Sequence, residues 1–352
     1  MERKDTMGKK YIGYAGTYTR ESSEGIYRFV LDAEASELSK VEVAAEVGSP
    51  TYLSVSEDNG YLYAVAQEGE MGGVHAYQVD GETGTLKMIN GQLTEGAPPC
   101  HLQVYEDKLV TGNYHKGKVK LLHVKEDGGV ERLSSSQHEG SGPHKRQEKP
   151  HVHFAGETPD GNYIVVCDLG TDELVTYQIE NNELVRVHTL NVKPGSGPRH
   201  IVFHPNGKTA YLLTELSSEV IVLDYNEEDG SFTEKQTIHA IPENFAETND
   251  ASAIHISSDG KFLYTGNRGH NSIALFGVSD NGKKLTFIEH TPTGGEWPRD
   301  FVLDPSEQFV VVSNQHSGNL VLFARDTETG KLTETGSEVS VPEVVCVKFL
   351  GK

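Results

Sequence analysis

Gly197–Tyr225 reads GPRHIVFHPNGKTAYLLTELSSEVIVLDY, and its punctuation decides the fold. Ile201–Phe203 is an apolar, β-branched run. Pro205-Asn206-Gly207 follows as a tight turn, then Ala210–Thr214 as a second strand. Ser217-Ser218 makes a second turn before a third strand, Val220–Tyr225. Asn-Gly between apolar runs is a strong hairpin signal, because both residues tolerate positive φ. An acidic turn, Glu227–Gly230, leads to a short outer strand over Ser231–Thr237.

The same phrase returns down the chain. It begins at Pro50 (PTYLSVSEDNGYLYAVAQ), at Pro99 (PCHLQVYEDKLVTGNYHKGKVKLLHV) and at Pro150 (PHVHFAGETPDGNYIVVCDLGTDELVTYQI). It returns at Ala251 (ASAIHISSDGKFLYTGNRGHNSIALFGV) and at Pro298 (PRDFVLDPSEQFVVVSNQHSGNLVLFA). Six starts about 45–50 residues apart predict a β-propeller with four antiparallel strands per blade. A seventh start, PEVVCVKF from Pro342, ends after one strand. Tyr11–Thr19, Gly25–Asp32 and Lys40–Ala45 read as the three strands that it lacks. The expectation is therefore an all-β, seven-bladed propeller whose last blade is closed by both termini. Residues 1–352 form one domain, with residues 1–9 a flexible N-terminal extension. Closure of this kind leaves no long sheet edge exposed.

Composition narrows the function. The 31 basic and 52 acidic residues give a net charge of −21, which repels nucleic acid and anionic lipid. No apolar run reaches the length of a membrane span, and MERKDTMGKK has no apolar region of the signal-peptide kind. Cys100, Cys167 and Cys346 are scattered, as expected of a reducing compartment, so a cytoplasmic location is predicted.

Aligning the repeats on their turns gives two comparable positions. Just before the inner strand stand Tyr52, His101, His153, Arg199 and Arg299. At the end of the second strand stand Gln67, Tyr114, Asp168, Glu215, Arg268 and Gln315. Arg199 and Glu215 lie equally far from Gly207, so antiparallel pairing brings both to one end of the hairpin. Three of the ten arginines fall at these positions, which suits an anion at one channel mouth. The same residues also fit a purely structural role, with Asp168 and Glu215 neutralising Arg199 and Arg268. His-x-His in Gly140–Phe154 (GSGPHKRQEKPHVHF) sends His151 and His153 to one face of an extended segment, but no third metal ligand follows at fixed spacing. No metal and no other cofactor is expected. Glu243–Asp250 (ENFAETND) reads as a loop inserted over one face.

PHVHFAGETPDGNYIVVCDLGTDELVTYQI, GPRHIVFHPNGKTAYLLTELSSEV, FLYTGNRGHNSIALF and GGEWPRDFVLDPS together resemble the seven-bladed propeller lactonases. That family includes the propeller-type 6-phosphogluconolactonases and the fungal carboxymuconate-lactonizing enzyme, and the resemblance runs from YIGYAGTYT to VPEVVCVKF. It implies catalytic roles for His153, Arg199, Glu215 and Arg268, with either His151 or His153 as the histidine. His151, Asp168, Arg299 and Gln315 are the substrate-binding candidates. On this reading His153, near its ordinary pKa of about 6.5, is the general base. Glu215 orients it or activates water, an arginine holds the oxyanion, and Arg299 helps hold a phosphate. The implied partner is a small anionic sugar lactone, and a weak homo-oligomer is compatible with the sequence. The rival readings are a muconate-type cycloisomerase, a scaffold without catalysis and a metal-dependent six-bladed lactonase.

Overall fold

A computed structural model describes residues 9–351. The expected N-terminal extension lies, apart from Lys9, outside the described residues. There are seven four-stranded antiparallel sheets and, among these residues, no helix. Six are continuous in sequence and span residues 53–95, 101–137, 152–191, 198–239, 250–292 and 298–340; they are blades one to six. The seventh is mixed. Val344–Phe349 is its innermost strand and pairs antiparallel with Lys10–Thr17, which is followed outward by Gly25–Asp32 and Glu37–Glu46. Both termini thus close the ring.

Blade four matches the sequence reading closely, with strands at Pro198–Phe203, Thr209–Thr214, Glu219–Asn226 and Ser231–His239. Its first turn differs in one respect. Only Gly207 has positive φ (68°); Asn206 does not, and instead its side-chain oxygen accepts from the Lys208 and Thr209 amides. The Gly207 amide donates to the His204 carbonyl at 2.9 Å. The same four-residue turn recurs at Ser56–Asn59, Thr158–Gly161, Ser257–Gly260 and Asp304–Glu307.

The apolar side chains do not collect at the ring centre. They form seven clusters, each between neighbouring blades. Tyrosines on second strands add a polar tie across these seams. Tyr14, Tyr63, Tyr211 and Tyr264 donate their hydroxyls to the carbonyls of Gly84, Gly128, Gly282 and Gly330, each in the outer turn of the next blade. The centre is left to the first residues of the inner strands.

Candidate active site

The inner strands do not begin regularly. In blade four Pro198 pairs with Thr214 and His200 with Leu213, so Arg199 is an extra residue opposite no partner. His153 in blade three and Arg299 in blade six occupy the same bulged position. A bulge breaks the alternation of the strand and re-aims one side chain. Three of the expected residues therefore share one geometric device at one mouth of the channel.

Tyr52 and His101 do not share it, which corrects the alignment of the repeats. Leu53 and His101 are already in register with their second strands, so Tyr52 and His101 match Phe154, His200 and Asp300, one step further in. They form a layer below the mouth. The ring of His101 lies 4.3 Å from that of Tyr52, 4.4 Å from Phe154 and 5.3 Å from His200. Beside it, Lys348 and Asp300 form an ion pair at 3.4 Å.

Glu215 is the centre of the mouth. Its Oε2 accepts from Arg199 Nε at 2.8 Å and forms an ion pair with Arg268 Nη2 at 2.8 Å, and its Oε1 accepts from Arg146 Nη2. Arg146 also donates to Asp250 at 2.9 Å. Burial pushes the Glu215 carboxyl up, but Arg268 and Arg199 outweigh it and hold the group well below the carboxylate range. Burial and Arg268 bring Arg199 down to about 10, so it stays protonated at neutral pH. Arg199 Nη1 donates to the Ser252 carbonyl, while Arg268 donates to the carbonyls of Asp250 and Ala251. Arg199 Nη2 and Arg268 Nη1 have no hydrogen-bond acceptor among the described residues. Three arginines face two carboxylates here, and Arg299 adds a further positive charge. Arg299 makes no ion pair among the described residues.

His153 is buried against the edges of His200 (5.3 Å) and Tyr114 (5.8 Å), and its Nδ1 has no hydrogen-bond partner among the described residues. Burial, reinforced by Arg199, holds its imidazole well below the ordinary histidine value. The expected pKa near 6.5 is therefore corrected: the ring is buried and crowded by cations. Glu215 makes no hydrogen bond to His153 among the described residues, because its oxygens are taken by arginine. His151 is occupied. Its Nδ1 donates to the Tyr114 carbonyl at 2.9 Å, its Nε2 lies 3.2 Å from Glu148, and its ring stacks on Tyr114 at 4.1 Å. The bulge at His153 separates the two histidines, and no metal-binding group of His, Cys, Asp or Glu occurs among the described residues.

Asp168 is not brought to the arginines. Its carboxylate is fully buried and accepts from His138 Nδ1 (2.7 Å), the His151 amide (2.8 Å) and the Gly170 amide (2.9 Å). It pairs with Val152, as Thr214 pairs with Pro198, so it sits one residue before the Glu215 position. Gln315 occupies that position in blade six, with its main-chain amide donating to the Trp297 carbonyl and its side-chain oxygen buried without a partner among the described residues.

Two residues at the mouth were missed by repeat alignment. Arg146 comes from the long basic segment Gly140–Phe154, whose length and charge were its signal. Trp297 holds φ of 67° where blade four has Gly197 at the same angle. A bulky residue in that region is uncommon and strained. Its ring stacks on His316 at 4.9 Å and lies 5.6 Å from the Arg268 guanidinium. The Glu243–Asp250 insertion borders the same face, where Asp250 receives Arg146 and Phe245 packs on His270 at 4.9 Å.

Known proteins share this architecture along its whole length. The family model for lactonases with a seven-bladed β-propeller matches residues 12–349. A Bacillus subtilis protein named 6-phosphogluconolactonase is 51% identical over 344 residues, covering 97% of this chain and 99% of the relative. A crystal structure from Lactobacillus plantarum is 40% identical with a TM-score of 0.93, covering 97% of this chain and 99% of that one. The Pseudomonas aeruginosa periplasmic gluconolactonase PpgL is 31% identical with a TM-score of 0.92, over the same shares of the two chains. With its termini joined in one blade and its arginines gathered at one mouth, the chain belongs to the seven-bladed β-propeller lactonase family.

Proposed function

We propose that the protein hydrolyses 6-phospho-D-glucono-1,5-lactone to 6-phosphogluconate, a step of the oxidative pentose phosphate pathway, in the cytoplasm. The observation that carries this reading is the cationic mouth on a strongly acidic chain, with an unpartnered His153 nitrogen beside it. Water adds to the lactone carbonyl carbon as His153 takes its proton. The free N–H groups of Arg199 and Arg268 stabilise the oxyanion, an arrangement that is most effective where water is excluded. The tetrahedral intermediate expels the ring oxygen, and the imidazolium returns the proton to it. A histidine with a depressed pKa is a weak base, yet it is unprotonated at neutral pH and ready to accept. The negative charge of the substrate raises its basicity once bound. Glu215 is too firmly paired to serve as base and acts as the template that holds three guanidinium groups in place.

The partners are then small anionic lactones rather than nucleic acid or lipid. A second reading, plain glucono-1,5-lactone as substrate, is favoured by the name of the Pseudomonas aeruginosa relative. Steady-state assays on both lactones separate the two. The phosphorylated lactone is expected to have the higher kcat/KM, by roughly ten- to a hundredfold for one charge-assisted contact. Equal values would remove phosphate recognition, and no turnover above buffer on either would remove the lactonase reading for this chain.

A further inference from the structure

A pocket opens on the mouth face, where the Tyr18 ring in its wall lies 5.4 Å from the Arg299 guanidinium. Its walls include Tyr18, Arg20, Thr51, Gln67, Cys100 and His115. No Asp or Glu among the described residues lines it, although the chain carries 52 of them. Its floor meets the reaction centre: the Cys100 thiol lies 3.5 Å from the Val152 carbonyl oxygen and 3.6 Å from that of His153.

Two guanidinium groups share one aromatic ring here. Arg20 lies 3.9 Å from the Tyr18 ring centroid, and Arg299 lies 5.4 Å from the same centroid. A ring face holds a guanidinium plane by cation–π attraction and leaves its N–H edge free for an oxyanion. No carboxylate lies within ion-pair distance of either group among the described residues. The loop that carries Arg20 is nevertheless fixed. Glu343, at the entry to the closing strand, accepts from the Arg20 amide at 3.0 Å and the Glu21 amide at 2.9 Å. Arg299 links the pocket to the chemistry, since its charge acts on His153, Arg199 and Cys100.

We infer that Arg20 and Arg299, set on the shared Tyr18 ring, clamp the phosphate of the substrate while its lactone carbonyl lies at Arg199 and Arg268. Arg20 is thus the residue that selects phosphorylated over plain lactone. This assignment rests on the lactonase reading above. The phosphate is carried on C6, which hangs on C5, the carbon that the ring oxygen joins to the carbonyl carbon, so it projects to one side of the reacting ester, and a neighbouring pocket free of acids is where it fits. Arg199 and Arg268 are already tied to Glu215 and to backbone carbonyls, so they are poorly placed to hold a dianion as well.

Calorimetric titration with the two products, 6-phosphogluconate and gluconate, tests the clamp without requiring turnover. The wild-type protein is expected to bind 6-phosphogluconate at least about tenfold more tightly than gluconate. In Arg20→Met that selectivity should fall by about tenfold, and Arg20→Lys, which keeps the charge but not the planar fork, should restore part of it. Thermal melts of each variant confirm that the exposed side chain has been replaced in a folded ring. Wild-type selectivity in Arg20→Met, or no preference in the wild type, would overturn the clamp. Preference for 6-phosphogluconate in a protein that hydrolyses neither lactone would support the clamp and count against the lactonase reading.

Discussion

At the scale of single residues, His153 and Glu215 sit at the same mouth and make opposite demands on the fold. His153 is held by ring edges and has an unpartnered nitrogen, so the fold needs its shape more than its chemistry. His153→Asn is expected to lower kcat by about 10²–10⁴, the range for loss of a general base, with a melting temperature near that of the wild type. Full activity in the variant would transfer the proton to another group. Glu215 is buried beneath three guanidinium groups. Glu215→Gln leaves those cations without their counter-charge, and removal of one partner from a buried pair costs about 3–5 kcal/mol. Its denaturant midpoint should fall accordingly; an unchanged midpoint would show that the arginines find compensation elsewhere. The positions of Arg199, Glu215 and Arg268 were legible in the repeats, because strand phase fixes which residues reach one end of a hairpin. The depressed basicity of His153 was not. It depends on how deeply the bulged residue is buried among charges from three other blades, and periodicity along one strand carries no such information.

At the scale of the strand and its neighbours, the repeat proves to be a hairpin with a handhold on the next blade. The sequence runs GYLYAV, TAYLLT and FLYTGN showed apolar second strands. They did not show that Tyr63, Tyr211 and Tyr264 each reach a glycine carbonyl about seventy residues ahead, because that partner is defined only when two blades pack. The Tyr211 hydroxyl donates to the Gly282 carbonyl at 2.6 Å within a buried seam. Tyr211→Phe keeps the ring and removes the donor, so the carbonyl is left without its partner at a cost of about 1–3 kcal/mol. Chemical denaturation with the transition slope unchanged would measure it; a stability equal to wild type would mean that water enters the seam and replaces the hydroxyl. The strand boundaries of blade four were readable to within a few residues, since Pro, Gly and paired Ser mark them. The bulges at His153, Arg199 and Arg299 were not. An extra residue in one strand is visible only against the strand beside it, and its neglect put Tyr52 and His101 one step out of phase.

At the scale of the whole molecule, stability is distributed around a circle. Seven apolar clusters lie between blades, and none joins all of them. The seam between blade six and the closing blade depends on Val344 and Val347, and the seam with blade one on Cys346. The same strand supplies Lys348 to the buried Asp300. A chain ending at Pro342 should therefore lose the cooperative transition and expose apolar seams, as read by a thermal melt with a hydrophobic dye. A cooperative melt within a few degrees of the full chain would show that the ring closes without the innermost strand of its mixed blade. Blade count and closure were legible from the sequence alone, since a single orphan strand at one end and three at the other add up to one blade. The identity of the acid-free pocket was not, because Tyr18, Gln67 and Cys100 come from three blades and meet only in the closed ring. The shared blade also orders events during synthesis. Lys10–Thr17 leaves the ribosome long before its inner neighbour, Val344–Phe349. At about 5–20 residues per second the early strand waits roughly 15–65 s with one edge unpaired. Throughout that interval the nascent protein is an open arc, exposed to chaperones and to its own neighbours on the same message, and translation speed becomes a determinant of yield.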